Sequence, residues 1–321
     1  MAANTNYLDF DQEVRNDVLE AIRAGDVPAL QHLIDTRFGV NNDSNTDCLY
    51  HAVREGNSQI VKMLLDAGIR RDYYRMNVNV DEDQDDEHQV IANLDERADA
   101  FLDRAENRAR ASPLYFAIRL QDDELRWTMV KLLVDNGISP RNEHLYSPSA
   151  LFLAVLQGDY EMVKYLLDAG AQVDCVCDYG KGFTTLHGAV VYLSGEIRVN
   201  MVKLLLKFGA DVNAKGPIHR ERCVQLVFEE QLGRCEVLQL LIDAGAELNY
   251  LDENYESPLA IAASMGDCEA MRQLITAGAD VNLSNRCSSS PLHVSMRQKS
   301  LAILPHIISV TYSYSAFCGT L

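Results

Sequence analysis

Residues 182–213 read GFTTLHGAVVYLSGEIRVNMVKLLLKFGADVN, and this stretch decides the fold. Thr184 is placed to cap a helix start with its hydroxyl, and Leu186, Ala189 and Val190 then share one helical face. A second helix carries Val202, Leu205 and Leu206 on its apolar side, and Gly209 supplies the left-handed residue that stops it. Val191 to Gly195 read as a widened turn between the two. Neither helix holds its shape alone in water, where isolated helices below about 12–15 residues are marginal. The unit has to lean on copies of itself.

Copies are present. Against Thr184-Thr185-Leu186-His187-Gly188-Ala189 stand Ser257-Pro258-Leu259-Ala260-Ile261-Ala262, Ser290-Pro291-Leu292-His293 and Ser112-Pro113-Leu114-Tyr115-Phe116-Ala117. Weaker versions begin at Ser149 and Asp47. The helix ends recur as well, at Leu166 to Ala171, Leu240 to Ala246 and Leu274 to Asn282. A TPLHxA signature followed by LLxxGAxVN resembles the ankyrin repeat, whose period is about 33 residues. The resemblance implies an all-α solenoid of about eight helix-turn-helix repeats linked by β-hairpin loops, interrupted by one acidic and helical insertion.

On that reading residues 1–16 form an N-terminal capping segment, with Tyr7, Leu8 and Phe10 folding back over the first repeat. Repeats 1 and 2 occupy 17–72: Val18, Ala21 and Ile22 face inward from one helix and Leu30, Leu33 and Ile34 from the next, with Gly25-Asp26 between. The period then breaks. Residues 73–110 open on Asp81-Glu82-Asp83-Gln84-Asp85-Asp86-Glu87 and continue as an amphipathic helix through Ile91, Leu94, Ala98, Phe101, Leu102, Ala105 and Ala109. Nothing there matches the repeat signatures, so the segment reads as an inserted loop and helix. Repeats 3 to 8 occupy 111–308. The sixth is eroded, with Val224 to Glu229 standing where the signature belongs and Glu229 at the small-residue position. The eighth is incomplete, since Pro305 falls within its second helix. The tail 309–321, SVTYSYSAFCGTL, is apolar, uncharged and unlike a polar solenoid cap, as expected of a truncated or spliced product or of a surface that a partner covers.

Charge narrows the function. The chain has 29 basic and 47 acidic residues, a formal net charge of −18, which repels phosphate backbones and anionic lipid. The expected partner is a protein with a basic surface, with no nucleic acid and no membrane, and the chain is expected to be a monomer. No apolar leader or membrane-length run is seen, so a cytoplasmic or nuclear location is expected. The eight cysteines are scattered singly, apart from Cys175 and Cys177, and read as reduced thiols.

Four groups of residues suggest chemistry. Cys175, Cys177, His187 and Cys223 do not have the spacing of a structural zinc site. The acidic run from Asp81 has Asp86 where a calcium loop needs glycine and Ala92 where it needs glutamate. His51, His187 and His293 occupy a repeat position rather than a catalytic one, and no nucleophile elbow, phosphate-binding loop or zinc-protease motif occurs. Asn213, Asn249 and Asn282 resemble asparagines hydroxylated in other ankyrin proteins, but a structural place in the hairpins is the stronger reading. No enzyme and no cofactor is expected.

Binding remains. The resemblance implies a scaffold, adaptor or inhibitor that acts by occupancy, through hairpin tips and the concave face of the first helices. The hairpin candidates are His144, Tyr146, Asp178, Tyr179, Lys181, Phe183, Arg220, Arg222, Asp252, Glu253 and Tyr255, with Tyr192 on an inner helix. Tyrosines beside carboxylates give large contact area at low entropic cost. Two alternatives stand beside this one: a reader of basic peptide tails, and the substrate-receptor part of a ubiquitin ligase.

Overall fold

The computed structural model describes residues 16–37, 46–68, 112–141, 149–177, 183–216, 221–229, 232–283 and 291. The capping segment up to residue 15, the acidic run and helix of 73–110, most of the eighth repeat and the tail lie outside them. The chain divides into two compact units, Met1–Leu153 with Ala169–Ala171, and Ala154–Asp168 with Gln172–Leu321.

In the first unit, α1 (residues 16–24) turns at Gly25 into α2 (Val27–Arg37), followed by α3 (Thr46–Arg54), α4 (Ser58–Asp66), α5 (Pro113–Ile118) and α6 (Asp123–Asp135). Short polar side chains start these helices. Asp26 accepts from the Ala29 amide at 2.9 Å, Asn57 from Ile60 at 3.1 Å, Ser112 from Leu114 at 3.1 Å and Asp122 from Leu125 at 2.9 Å. Consecutive pairs then stack: α3 packs on α5 and α4 on α6. The Tyr50 and Phe116 rings meet edge-on, with centroids 4.5 Å apart. Repeats 2 and 3 are thus direct neighbours in the stack although residues 69–111 lie between them in sequence.

The second unit receives the end of α7 (Ala150–Leu156) and contains α8 (Tyr160–Asp168), β1 (Val176–Cys177), β2 (Phe183–Thr184), α9 (Thr185–Tyr192), α10 (Gly195–Lys207), α11 (Cys223–Leu226) with a 3₁₀ turn at Val227–Glu229, α12 (Arg234–Asp243), α13 (Pro258–Met265) and α14 (Cys268–Thr276). The inner helices α9, α11 and α13 pack in sequence, as do the outer helices α8, α10, α12 and α14. Leu186, Ala189, Val190, Met201, Val202 and Leu205 are fully enclosed. Gly209 takes φ +86°, as its helix-stopping role requires.

Two local readings are corrected. Val191 and Tyr192 do not widen a turn: they extend α9, and Gly195 already opens α10. The added helical turn carries Arg198, fully buried, whose Nη2 donates to the Val227 carbonyl at 3.1 Å. In the eroded repeat the register is two residues earlier than the sequence suggested. Arg222 is the N-cap of α11, and its amide donates to the side chain of Gln225 at 3.0 Å, the place His187 holds relative to Thr184. Val227, fully buried, therefore fills the small-residue position that Ala189 fills one repeat earlier, and Glu229 falls in the 3₁₀ turn. A polar N3 side chain reaching back to the N-cap amide sets the register.

The hairpins are tied across repeats by asparagines. Asn213 donates through Nδ2 to the Gly245 carbonyl at 3.0 Å and accepts from the Glu247 amide at 2.7 Å. Asn249 repeats the pattern with Gly278 at 3.4 Å and Asp280 at 2.7 Å. In the preceding hairpin Asp174 stands in, accepting from the Asp211 amide at 2.9 Å.

His187 is enclosed, with Nδ1 2.8 Å from the Thr184 hydroxyl. Burial pushes its pKa down to about 4, opposed by the carbonyls of Glu221 and Ala214 and by Asp211. The neutral ring belongs to the folded state, so its contribution is intact above about pH 6.5 and is lost as pH falls toward about 4, where the unfolded chain binds the proton first. Urea midpoints of the wild type are expected to fall over that window by more than those of His187→Gln. Parallel profiles would contradict it.

Candidate functional site

The hairpin edge of the second unit is built from short turns that end at helix caps. β1 and β2 pair antiparallel, Val176 opposite Thr184 and Cys177 opposite Phe183. The strand thus delivers Phe183 beside the cap of α9. Its half-buried ring lies 5.7 Å from His187 and 6.3 Å from Tyr192, edge-on to the tyrosine at 78°. Two of the residues singled out in the sequence therefore form one partly exposed aromatic pair. Asp178, Tyr179 and Lys181 lie outside the described residues, as do His144, Tyr146 and Arg220.

At the next hairpin Arg222 is buried and engaged within the protein. Its guanidinium pairs with Glu247 and lies 4.0 Å from the centroid of the Tyr250 ring, with the Lys215 ammonium 5.8 Å from the same ring. Cation and ring hold each other where an exposed arginine was expected. Tyr250 and Lys215 were not singled out in the sequence; the signal available was that Tyr250 directly follows the GAELN helix end.

Asp252 is also turned inward. Its carboxylate accepts from the Glu256 amide at 2.8 Å, its carbonyl from the Tyr255 amide at 3.1 Å, and its amide donates to the Glu256 carbonyl at 3.3 Å. Gln225 Nε2 donates to that same carbonyl at 2.8 Å, pinning the turn to α11. Glu253, Asn254, Tyr255 and Glu256 are exposed. Tyr255 is 48% exposed and adopts φ +60°, a left-handed conformation that costs a non-glycine residue about 1–2 kcal/mol. The surrounding bonds hold an amphipathic ring outward beside two carboxylates, which suits contact with a cationic or aromatic group on a partner.

Cys175 and Cys223 are buried, and burial pushes the Cys223 thiol well above its ordinary value, away from the nucleophilic thiolate. Among the described residues no three His, Cys, Asp or Glu side chains converge as they would around a metal ion, and no helix is long and apolar enough to cross a membrane. What the edge offers is shape, aromatic surface and negative charge.

A family model for ankyrin repeats (3 copies) matches residues 85–177, 114–216 and 226–314. The chain belongs to the ankyrin-repeat family. Human ankyrin repeat and MYND domain-containing protein 1 is 39% identical over 100 residues, 31% of this chain and 10% of that protein. Mouse ankyrin repeat and SOCS box protein 6 is 33% identical over 138 residues, 42% of this chain and 31% of that protein. A putative ankyrin repeat protein of fowlpox virus is 28% identical over 163 residues, 49% of this chain and 36% of that protein. The chain therefore spans from a tenth to about a third of the length of these relatives. Ankyrin-repeat scaffolds are non-catalytic and work through protein–protein interaction.

The strain at Tyr255 gives a direct test of the turn. Glycine adopts φ +60° freely whereas alanine does not. Tyr255→Gly is expected to be more stable than Tyr255→Ala by about 1 kcal/mol in urea denaturation. Equal stabilities would show that the left-handed turn is not populated.

Proposed function

We propose that the chain recruits a protein partner along its hairpin edge and presents it as the substrate-binding part of a SOCS-box-type ligase adaptor. The recruiting half of this reading rests on the turn at 252–256, where bonds to the buried Asp252 and Gln225 side chains hold a strained, exposed tyrosine beside Glu253 and Glu256. Strain kept in place by surrounding structure clusters at active sites, ligand clamps and switch regions, which supports this reading. The presenting half is supported by similarity to relatives that join ankyrin repeats to a SOCS box, from mouse, human and orangutan. Phe183 with Tyr192 extends the same edge. A preformed solenoid surface loses little ordering entropy on binding, so affinity comes from these anchors and from charge opposite a basic partner face.

A scaffold or inhibitor that acts by occupancy uses the same edge and differs in the partner's fate. In cells depleted of the protein, with translation blocked, the adaptor reading expects the captured partner's half-life to lengthen several-fold, and Tyr255→Ala to fail to restore its turnover. A partner whose half-life is unchanged, while its complexes with other proteins increase, would favour occupancy. The reading of basic peptide tails expects affinity to collapse between low and high salt.

A further inference from the structure

Five large hydrophobic side chains are exposed among the described residues: Tyr160, Ile197, Leu232, Tyr255 and Met265. Scattered singly they would need no explanation, but four recur at the same kind of place in consecutive repeats. Tyr160 opens α8, Ile197 is in the first turn of α10, Leu232 precedes α12 and Met265 ends α13. All four stand at the turns between the paired helices of consecutive repeats, and all belong to the second unit.

These turns form one continuous edge. A Cβ placed on Gly158 would lie 3.1 Å from Ile197 Cγ2, joining repeats 4 and 5. One on Gly233 would lie 3.1 Å from Val199 Cγ2 and 3.2 Å from the Gly195 carbonyl, joining 5 and 6. Arg234 pairs with Asp267 at 2.8 Å, joining 6 and 7. The exposures along this edge are 39% for Tyr160, 55% for Ile197, 63% for Leu232 and 47% for Met265, too high for side chains that serve the core.

Exposed charge at the starts of the outer helices is acidic. Glu161, Glu196, Glu236 and Glu269 stand in the first turns of the outer helices and are exposed. The edge arginines Arg198 and Arg234 point inward, to the Val227 carbonyl and to Asp267 with the Phe228 carbonyl. The exposed cations beside them are Arg272, paired with Glu269, and Lys164, three residues after Glu161. Acids favour helix N-termini on dipole grounds, which accounts for the glutamates but not for the apolar side chains between them. The turn backbones are already bonded, as in Gly158 N to Val155 O at 2.9 Å and Asp267 N to Ala262 O at 3.0 Å, so the edge offers no ladder to an added strand. It offers side chains only.

We propose that this turn edge is a second docking surface, separate from the hairpin edge, and that it takes a basic amphipathic helix of a partner protein. The helix lays its apolar stripe over Tyr160, Ile197, Leu232 and Met265 and sets flanking lysines or arginines against Glu161, Glu196 and Glu236. The probe is a synthetic helix with leucines on one face and lysines on the other, titrated against the full chain. Ile197→Ser with Leu232→Ser is expected to weaken binding by about tenfold or more, and Glu161→Gln with Glu196→Gln and Glu236→Gln to flatten its salt dependence. Tyr255→Ser is expected to leave it unchanged. Met265→Ser, with an unaltered thermal melt, gives the same direction if the double variant does not fold. Unchanged affinity in Ile197→Ser with Leu232→Ser, or in a folded Met265→Ser, would overturn the proposal, as would an equal loss in Tyr255→Ser or equal binding of a leucine–glutamate helix. Wild-type dimers in sedimentation that the double variant dissolves would overturn it too, by making a second copy the occupant. Because the substitutions at Glu161, Glu196, Ile197, Leu232, Glu236 and Met265 leave the hairpin edge untouched, failure here leaves the recruiting role standing.

Discussion

The described helices do not bury their apolar faces within their own pairs; they complete that burial against the repeat before or after. Leu186 and Val190 on α9 are enclosed because α10 and α11 both lie against that helix. Short helices below the length of autonomous stability become rigid only as members of the stack. The asparagine ladder extends the same dependence to the hairpins, since Asn213 and Asn249 take their partners from the following repeat. Local sequence sets where helices start and stop, and the neighbour sets whether they persist.

The sixth repeat shows what happens when local sequence is insufficient. Four residues of α11 give way to a 3₁₀ turn whose carbonyls would be left without partners, and two arginines from elsewhere supply them. Arg198, one repeat earlier, reaches the Val227 carbonyl, while Arg234 reaches the Phe228 carbonyl at 3.2 Å and Asp267 one repeat later. Burial raises the Asp267 carboxyl, but the Ala270 amide and Arg234 outweigh it and hold the group below its usual range. Buried cations so arranged satisfy backbone that would otherwise carry a desolvation cost. The irregular repeat is held to the same stack as its regular neighbours.

How far the sequence reached follows from the range of the interactions. Ser112, Thr184 and Ser257 announced helix starts because a cap bonds two or three residues ahead. The glycine stops were equally local. Arg198 was invisible, because its partner lies 29 residues away, and the register of α11 was misplaced because glutamine rather than histidine reaches back to the cap. On the hairpin edge, Glu253 and Tyr255 are exposed and Phe183 and Tyr192 half-buried, whereas Arg222 and Asp252 are buried. Aromatic character was readable; burial of the charged neighbours depended on Tyr250, Glu247 and the Glu256 amide.

Function on this account follows from rigidity: repeats that fix one another also fix the turns they display, and the turn at 252–256 is displayed at a cost in backbone strain. The most direct test places a photo-crosslinking amino acid at position 254, in that turn, or at position 203, on the exposed side of α10, and captures the tagged chain from cells. The account predicts a discrete crosslinked protein from position 254 that is lost in Tyr255→Ala, and none from position 203. Crosslinking to the same protein from position 203 alone, or equally from both, would contradict it.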